Sequence, residues 1–441
     1  MVMRRFFLFL IPGICLFACH PGMELPSVPV RETAWTVLVY MNGDSDLESQ
    51  ALEDLKEMER AEILEGLEIL VLADRTPGYD SGEGDWTGTR LYRVIRDPSG
   101  GYPLVSRRLS CPELGLTDRG DEEELNLGSP GVLAGFLRYG KSAFPGNRTM
   151  LILWGHGSGW RSLPVEGSGS AGILPELPAY RAFSFDDSDG DFLHTAELGQ
   201  VLREEPVDLV GFDVCSAALL EVAWEIREGA RRMAGSEDLV SVRGWNYSTL
   251  LAALSRSDGT EESAARALTD SFSGEYREAS GAVFSVIDLT LLEPVMAGLD
   301  RFVLSREEEA RISGDPGEYY RNLKNRLFLE VEDFYTVPGD LNLDLGDMAR
   351  LIEGEDSPLA EAVDHAVTEF FSSGIGNPRA SGLGIHLVPL GDTGRILPHN
   401  DAYFRNRPVS YPLDFVSRCS WCPDEEEEKG LLYRLFYDPF L

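Results

Sequence analysis

The first half of the chain alternates between two hydrophobic patterns. Mostly apolar runs predict strands buried on both faces: Ala34–Gly43 (AWTVLVYMNG), Leu67–Asp74 (LEILVLAD), Arg148–Gly157 (RTMLILWGHG) and Val207–Cys215 (VDLVGFDVC). Between them lie segments with helical spacing. After Asn42-Gly43, a helix that Asp44 or Ser45 can cap carries Leu47, Leu52, Leu55 and Met58 on one stripe. Ser129 and Pro130 open a second helix, Thr195–Glu205 forms a third, and Ser216–Ser236 (SAALLEVAWEIREGARRMAGS) reads as a long fourth. Thr89–Asp97 predicts a more amphipathic strand. Apolar strands alternating with helices predict an α/β fold, a mainly parallel sheet covered on both faces in a three-layer α/β/α sandwich.

Past Ser255 the pattern turns helical to about Phe371, with one apolar strand at Gly281–Leu289 and a late one at Ala380–Leu390. This places a soft boundary near residue 255, dividing a domain over 34–255 from a mixed helical and α/β region over 256–441. The stretch 158–181, rich in glycine, serine and proline, predicts a long loop directly after His156-Gly157, and long loops in compact domains are often functional. The chain opens with Arg4-Arg5, an apolar stretch from Phe6 to Ala18, and Cys19, which is the layout of an export signal over 1–19. Leu16–Cys19 (LFAC) fits a bacterial lipobox, with Cys19 as the lipidation site and 20–33 as a proline-rich tether. The expected location is the cell envelope, with membrane attachment only through that anchor.

Charge narrows the partners. The chain has 74 acidic and 39 basic residues among 441, a formal net charge of -35, which argues against nucleic acid as a ligand. A monomer is expected. The six cysteines include Cys15 and Cys19 in the signal, and the remaining Cys111, Cys215, Cys419 and Cys422 form no disulfide framework. Cys419-Ser-Trp-Cys422 reads as a local disulfide or two free thiols.

Two buried strands end in residues able to do chemistry, one in His156 and the other in Cys215. In parallel sheets ligands bind beyond the carboxyl ends of strands, where these two side chains can meet. Either residue alone is commonly structural. Together they point to a Cys/His hydrolase, with Cys215 as nucleophile and His156 as general acid/base. The backbone N–H groups of Gly157 and Cys215 are candidates to polarise the scissile carbonyl. A helix starting at Ser216 would favour the thiolate through its dipole.

The segments WTVLVYMNGDSDLE, LILWGHGSGW, GFDVCSAALLEVAWEI, GWNY and SVIDL, in order from Trp35 to about Leu289, resemble the motifs of clostripain-type cysteine peptidases. That family belongs to a group with caspases, legumains and gingipains. Asp344–Met348 and Ala380–Pro389 extend the likeness more weakly. The resemblance implies a caspase-like fold, a His156/Cys215 dyad with no required cofactor, and cleavage after arginine or lysine. Asp213 matches an acidic specificity position, and Arg243, just before the GWNY motif, and Trp245, within it, are further substrate-binding candidates. Arg243 departs from the neutral or acidic character expected there, and would pair with Asp213 if it pointed into the pocket. The resemblance also implies self-processing between the histidine and the cysteine, where Arg161 and Arg181 are available and Arg181 is the expected point.

Asp187, Asp189 and Asp191 in DDSDGD offer alternating oxygens for calcium, although Phe192 stands where the EF-hand pattern needs glycine. An acidic turn before a helix accounts for the same residues. Two non-peptidase readings stay open: a catalytically silent envelope protein that binds through a peptidase-like fold, and a calcium-binding surface protein.

Overall fold

The computed structural model describes residues 33–64, 66–119, 123–157, 159, 183–334 and 341–387. The export signal with Cys19, most of the tether, Arg161, Arg181 and the Cys419/Cys422 pair lie outside the described residues.

Every residue of the first apolar run, β1 (Trp35–Gly43), is buried. Alternate side chains go to opposite faces: Leu38 and Tyr40 enter one core, while Val37, Val39 and Met41 enter the other. Such a strand is stable only inside a sheet covered on both sides. Each fully buried apolar side chain contributes roughly 1.5–3 kcal/mol there.

In chain order, the next elements are α1 (Glu48–Arg60), β2 (Leu67–Arg75), β3 (Gly88–Arg93), β4 (Arg107–Leu109), α2 (Pro130–Ala143), β5 (Arg148–Trp154), β6 (Phe183–Asp186) and β7 (Asp191–Leu193). Then come α3 (Thr195–Glu204), β8 (Val207–Asp213), α4 (Leu220–Ile226), β9 (Ala230–Gly235), α5 (Tyr247–Arg256), α6 (Glu261–Tyr276) and β10 (Val283–Asp288). The described chain closes with α7 (Leu292–Ser313), α8 (Pro316–Glu330), β11 (Asp333–Phe334), β12 (Leu341–Asp344), α9 (Leu345–Glu353), α10 (Pro358–Ala366), β13 (Val367–Ser372) and β14 (Gly384–Leu387).

Nine strands form one sheet in the order β13-β10-β9-β8-β5-β1-β2-β3-β4. The five central strands β2, β1, β5, β8 and β9 are parallel. Antiparallel strands finish both edges. One face packs on α2, α3 and α4, the other on α1, α5 and α6, so the expected three-layer α/β/α sandwich with a mainly parallel sheet is what forms. The β6–β7 hairpin stands apart from this sheet, as does the antiparallel trio β11-β12-β14. The trio is tied to the core where Gly384 N–H donates to the Ala218 carbonyl (2.9 Å) and His386 N–H to Glu221 (3.0 Å). Among the described residues, no helix is long and apolar enough to cross a membrane.

Two elements differ from the sequence reading. The long helix expected over Ser216–Ser236 is only the short α4, after which Ala230–Gly235 turns into the central strand β9. Its two arginines disguise it. Arg232 is buried but ion-paired with Glu261, Glu262 and Asp288, which compensates its charge inside a sheet. Val367–Ser372, read as helix, is the edge strand β13, whose half-exposed side chains carry a weak apolar signal. The boundary expected near residue 255 falls in the last turn of α5. The main sheet runs across it, since β10 and β13 join strands from the first half.

Candidate active site at the carboxyl edge of the sheet

Strands β5 and β8 are parallel neighbours, with Trp154 paired to Asp213. Gly155 N–H donates to the Asp213 carbonyl, so the chain leaves both strands in step. His156 and Cys215, each two residues past that pair, therefore emerge side by side at one edge. Gly157 shows how tight the approach is. A Cβ there would sit 2.7 Å from Val214 and 3.0 Å from the Cys215 carbonyl oxygen, so only glycine lets the two segments meet.

His156 is held from one side by a residue the sequence reading did not single out. Asp46, in the turn after β1, places Oδ1 2.6 Å from His156 Nε2. Phe185 of β6 presses edge-on against the ring, at 6.3 Å between centroids. The contact is to Nε2, so a neutral ring that donates Nε2–H to Asp46 leaves Nδ1 as its acceptor. The only sequence signal for Asp46 is an acidic residue in a turn that comes after a buried strand.

Cys215 is half-buried. The Val240 N–H donates to its Sγ at 3.3 Å, and the Val240 carbonyl lies 3.7 Å from the same sulfur. Burial pushes the thiol above its ordinary range, partly opposed by the Val240 N–H; Asp238 and Asp213 push it further. Burial thus favours the thiol over the thiolate. The helix expected at Ser216 begins at Leu220 and is short, so Cys215 does not sit on a helix N-terminus and draws no thiolate stabilisation from one. Instead the chain turns sharply after Cys215. Ser216 is fully buried in the left-handed region (φ 55°), and its N–H donates to the Asp238 carbonyl. Holding a non-glycine residue there costs on the order of 1 kcal/mol.

Asp213 lies beneath this edge, buried. Its Oδ2 accepts from Trp245 N–H (3.1 Å) and the Tyr247 hydroxyl (2.9 Å), while Oδ1 has no hydrogen-bond partner. Burial raises its carboxyl to about 7, against those two hydrogen bonds and with help from Glu57. The conditional pairing with Arg243 does not form. The Arg243 side chain is 78 % exposed and lies 3.6 Å from Glu275. Trp245 is buried against Gly211 and Phe284, so it acts on the site through its backbone N–H.

Two clefts open on either side of the 238–246 loop. One, of about 220 Å³, is lined by Glu53, Asp54, Glu57, Arg243 and Glu275. The other, of about 420 Å³, is lined by Asp238, Val240, Phe272, Tyr276 and Ala282, and Val240 connects it to the thiol. Asp54 binds Trp154 Nε1 at 2.7 Å and is pushed well above the carboxylate range by burial and then by Asp213. The smaller cleft is thus lined by four carboxyl groups against one arginine, with the Asp54 carboxyl holding its proton more tightly than usual.

The family model for the C11 peptidases, the clostripain family, matches residues 39–360. The chain belongs to the clostripain family. Clostripain from Hathewaya histolytica is 29% identical over 242 residues, which is 51% of this chain and 43% of that protein. The aligned part thus spans under half the length of that relative. Two solved structures share the fold. A secreted C11 cysteine protease from Bacteroides thetaiotaomicron, in complex with an irreversible peptide inhibitor, aligns at TM-score 0.59 and 19% identity, covering 88% of this chain and 99% of that one. An inactive zymogen C11 protease from Parabacteroides distasonis aligns at TM-score 0.56 and 17% identity, covering 80% and 92%. The family and fold expected from the motifs are thereby borne out.

The other residues singled out in this clostripain-family chain have simpler places. Asp187, Asp189 and Asp191 do not converge on a point among the described residues. They frame the β6–β7 turn, where Asp191 accepts from Asn126 (2.7 Å) and the Asp187 N–H donates to the Asp44 carbonyl. Only Asp186 of that motif joins an acidic group, with Asp44, Asp74 and Glu124. Cys111 is buried.

Proposed function

We propose that the protein is an exported cysteine endopeptidase that cleaves polypeptides after basic residues through Cys215 and His156. The observation that carries this is the emergence of both residues from neighbouring parallel strands in matched register, with Gly157 against the Cys215 backbone. Cys215 Sγ attacks the scissile carbonyl carbon and its proton passes to the imidazole. The same proton then goes to the leaving amine as the C–N bond breaks. Water, deprotonated by His156, attacks the thioester carbonyl and releases the acid and the thiol. The N–H groups of Gly157 and Cys215 are the proposed donors to the developing oxyanion. Asp46 stabilises the imidazolium between these steps.

Preference for arginine or lysine is supported by the acidic cleft and by Asp213, because Arg243 is paired elsewhere. A bound cation would draw Asp213 into its charged form. Export rests on the signal-like start and lipid attachment on Cys19. Self-cleavage after Arg181 rests on the family resemblance and on the loop's place directly after His156.

The test is a fluorogenic peptide panel varying the residue before the scissile bond, run on wild type and Cys215→Ala. Cleavage after arginine and lysine by wild type alone is expected. Activity that survives Cys215→Ala overturns the mechanism, and cleavage indifferent to the basic residue overturns the specificity. An N-terminal sequence beginning at Ala182 in the active protein, and absent from Cys215→Ala, supports self-processing; active protein that stays intact refutes it.

A further inference from the structure

We infer that Glu237 is a positioning residue for Cys215. As a neutral carboxyl it donates a hydrogen bond to the ionised Asp344, and this buried pair keys the segment behind the nucleophile to the β11-β12-β14 trio. The effect on catalysis rests on the peptidase reading; the pair itself does not.

The segment 236–240, which leaves the end of β9, holds the turn after Cys215 from behind. Ala218 N–H donates to the Ser236 carbonyl (2.9 Å), Ser216 N–H to the Asp238 carbonyl (3.0 Å) and Val240 N–H to Cys215 Sγ (3.3 Å). Glu237 lies among these three contacts, and its side chain reaches the trio's side instead. Its Oε2 accepts from Gly382 N–H (3.0 Å), and beside it Asp238 Oδ2 accepts from Asn377 Nδ2 (3.2 Å). The chain that runs into β14 is thereby laced to the segment that holds the nucleophile.

The polar partners assign the proton. Asp344, at the end of β12, is fully buried and accepts three donors. Its Oδ1 takes the Asp347 N–H (2.7 Å) and the Ser381 hydroxyl (2.6 Å), and its Oδ2 takes the Ser381 N–H. Three donors favour the charged form. Glu237 is 1 % exposed and has the Gly382 N–H alone. Its Oε1 is buried without a hydrogen-bond donor and faces the Asp344 carboxyl. Two carboxylates in that contact repel, and the orphan oxygen adds its own cost. A proton on Oε1 removes both faults, because it turns the orphan acceptor into a donor toward Asp344. Burial, and then the Asp344 charge, push Glu237 well above the usual carboxyl range. At Asp344 burial is opposed by the Ser381 and Asp347 donors and by Glu237 itself.

No cation takes over this task. Among the described residues neither acid forms an ion pair; Arg379 binds Asp347, and Arg350 of α9 binds Asp364. The other charged groups around the pair are acids: Asp238 on the same segment, Glu332 and Asp333 at β11, and Asp347 on α9. On the α4 side Glu221 accepts from the β14 backbone at His386. Loss of the Glu237 proton therefore meets repulsion from every side and loosens the support of Cys215.

The test uses the full chain. Urea unfolding from pH 4 to 9 is measured on Cys215→Ala, with Glu237→Gln or Asp344→Asn added. Glutamine reproduces the neutral carboxyl, with an acceptor for Gly382 N–H and a donor for Asp344. Unfolded glutamate ionises near pH ~4.3 while folded Glu237 keeps its proton, so the parent loses stability relative to Glu237→Gln as pH rises. Each pH unit from ~4.3 up to the folded-state value should favour Glu237→Gln by about a further tenfold in the folding equilibrium. Asp344→Asn should be destabilised throughout, because an amide N–H would face the Ser381 or Asp347 donors. On the active background Glu237→Gln should keep kcat near neutral pH and hold it to higher pH than wild type. Glu237→Leu, with neither donor nor acceptor, should lower kcat roughly tenfold or more. A stability difference for Glu237→Gln that is flat with pH overturns the proton-bearing pair, as does a tolerated Asp344→Asn beside a damaged Glu237→Gln. Coincident alkaline limbs for wild type and Glu237→Gln, or wild-type kcat in Glu237→Leu, overturn the positioning role. A wild-type chain that cleaves no peptide fails the peptidase reading, and the unfolding series judges the pair without it.

Discussion

Replacing Asp213 with asparagine separates what this residue does for the site from what it costs the fold. Its folded-state carboxyl is raised from 3.8 to about 7, first by burial. Below pH ~4 the group is protonated both folded and unfolded, so it adds no pH-dependent term. Between ~4 and 7 the unfolded chain ionises while the folded chain holds the proton, and stability falls as pH rises. The total is the shift of about three units at ~1.36 kcal/mol each, or about 4 kcal/mol, complete above pH ~7. Asparagine keeps an acceptor for Trp245 N–H and Tyr247 and carries no charge. Asp213→Asn should match the parent near pH 4 and become the more stable protein by up to about 4 kcal/mol near pH 8, less any loss from the weaker neutral acceptor. Urea unfolding from pH 4 to 8, with both proteins carrying Cys215→Ala to prevent self-cleavage, measures this. A stability difference that does not change with pH across that window refutes the buried, proton-holding carboxyl. On the active background, the same substitution should lower kcat/KM for arginine peptides far more than for peptides with a neutral residue at that position.

Contacts around the dyad lead to two further expected outcomes. Asp46→Asn should lower kcat by roughly tenfold or more and alter the pH profile of kcat/KM, since it removes the charge beside the imidazole while leaving the fold intact. An unchanged profile would show that Asp46 acts only as a spacer. Gly157→Ala should abolish most activity, because its Cβ would meet Val214 at 2.7 Å and force His156 away from Cys215; full activity with unchanged melting would contradict the close approach.

The sequence determined much of this protein because burial on both faces of a sheet leaves a local trace. β1, β2, β5 and β8 are mostly apolar runs, legible without knowing their partners. Two such runs ending in His156 and Cys215 were enough to suggest the dyad, since parallel strands bring their carboxyl ends to a common edge. Tertiary structure decided what depends on partners far along the chain. Asp46 stands 110 residues from the histidine it touches, and its local mark, an acidic residue in the turn after a buried strand, does not point to that histidine. β9 hid behind Arg232 because the compensating acids come from α6 and β10. The family resemblance makes Arg243 and Asp213 partners if Arg243 points into the pocket, yet past the Gly244 turn Arg243 lies against Glu275 while Asp213 is buried under Trp245 and Tyr247. The acidic group at Asp44, Asp74, Glu124 and Asp186 joins four segments that share no motif. Periodicity reports whether a side chain is buried; only the folded chain reports which groups it is buried with, and that sets charge, proton affinity and chemistry.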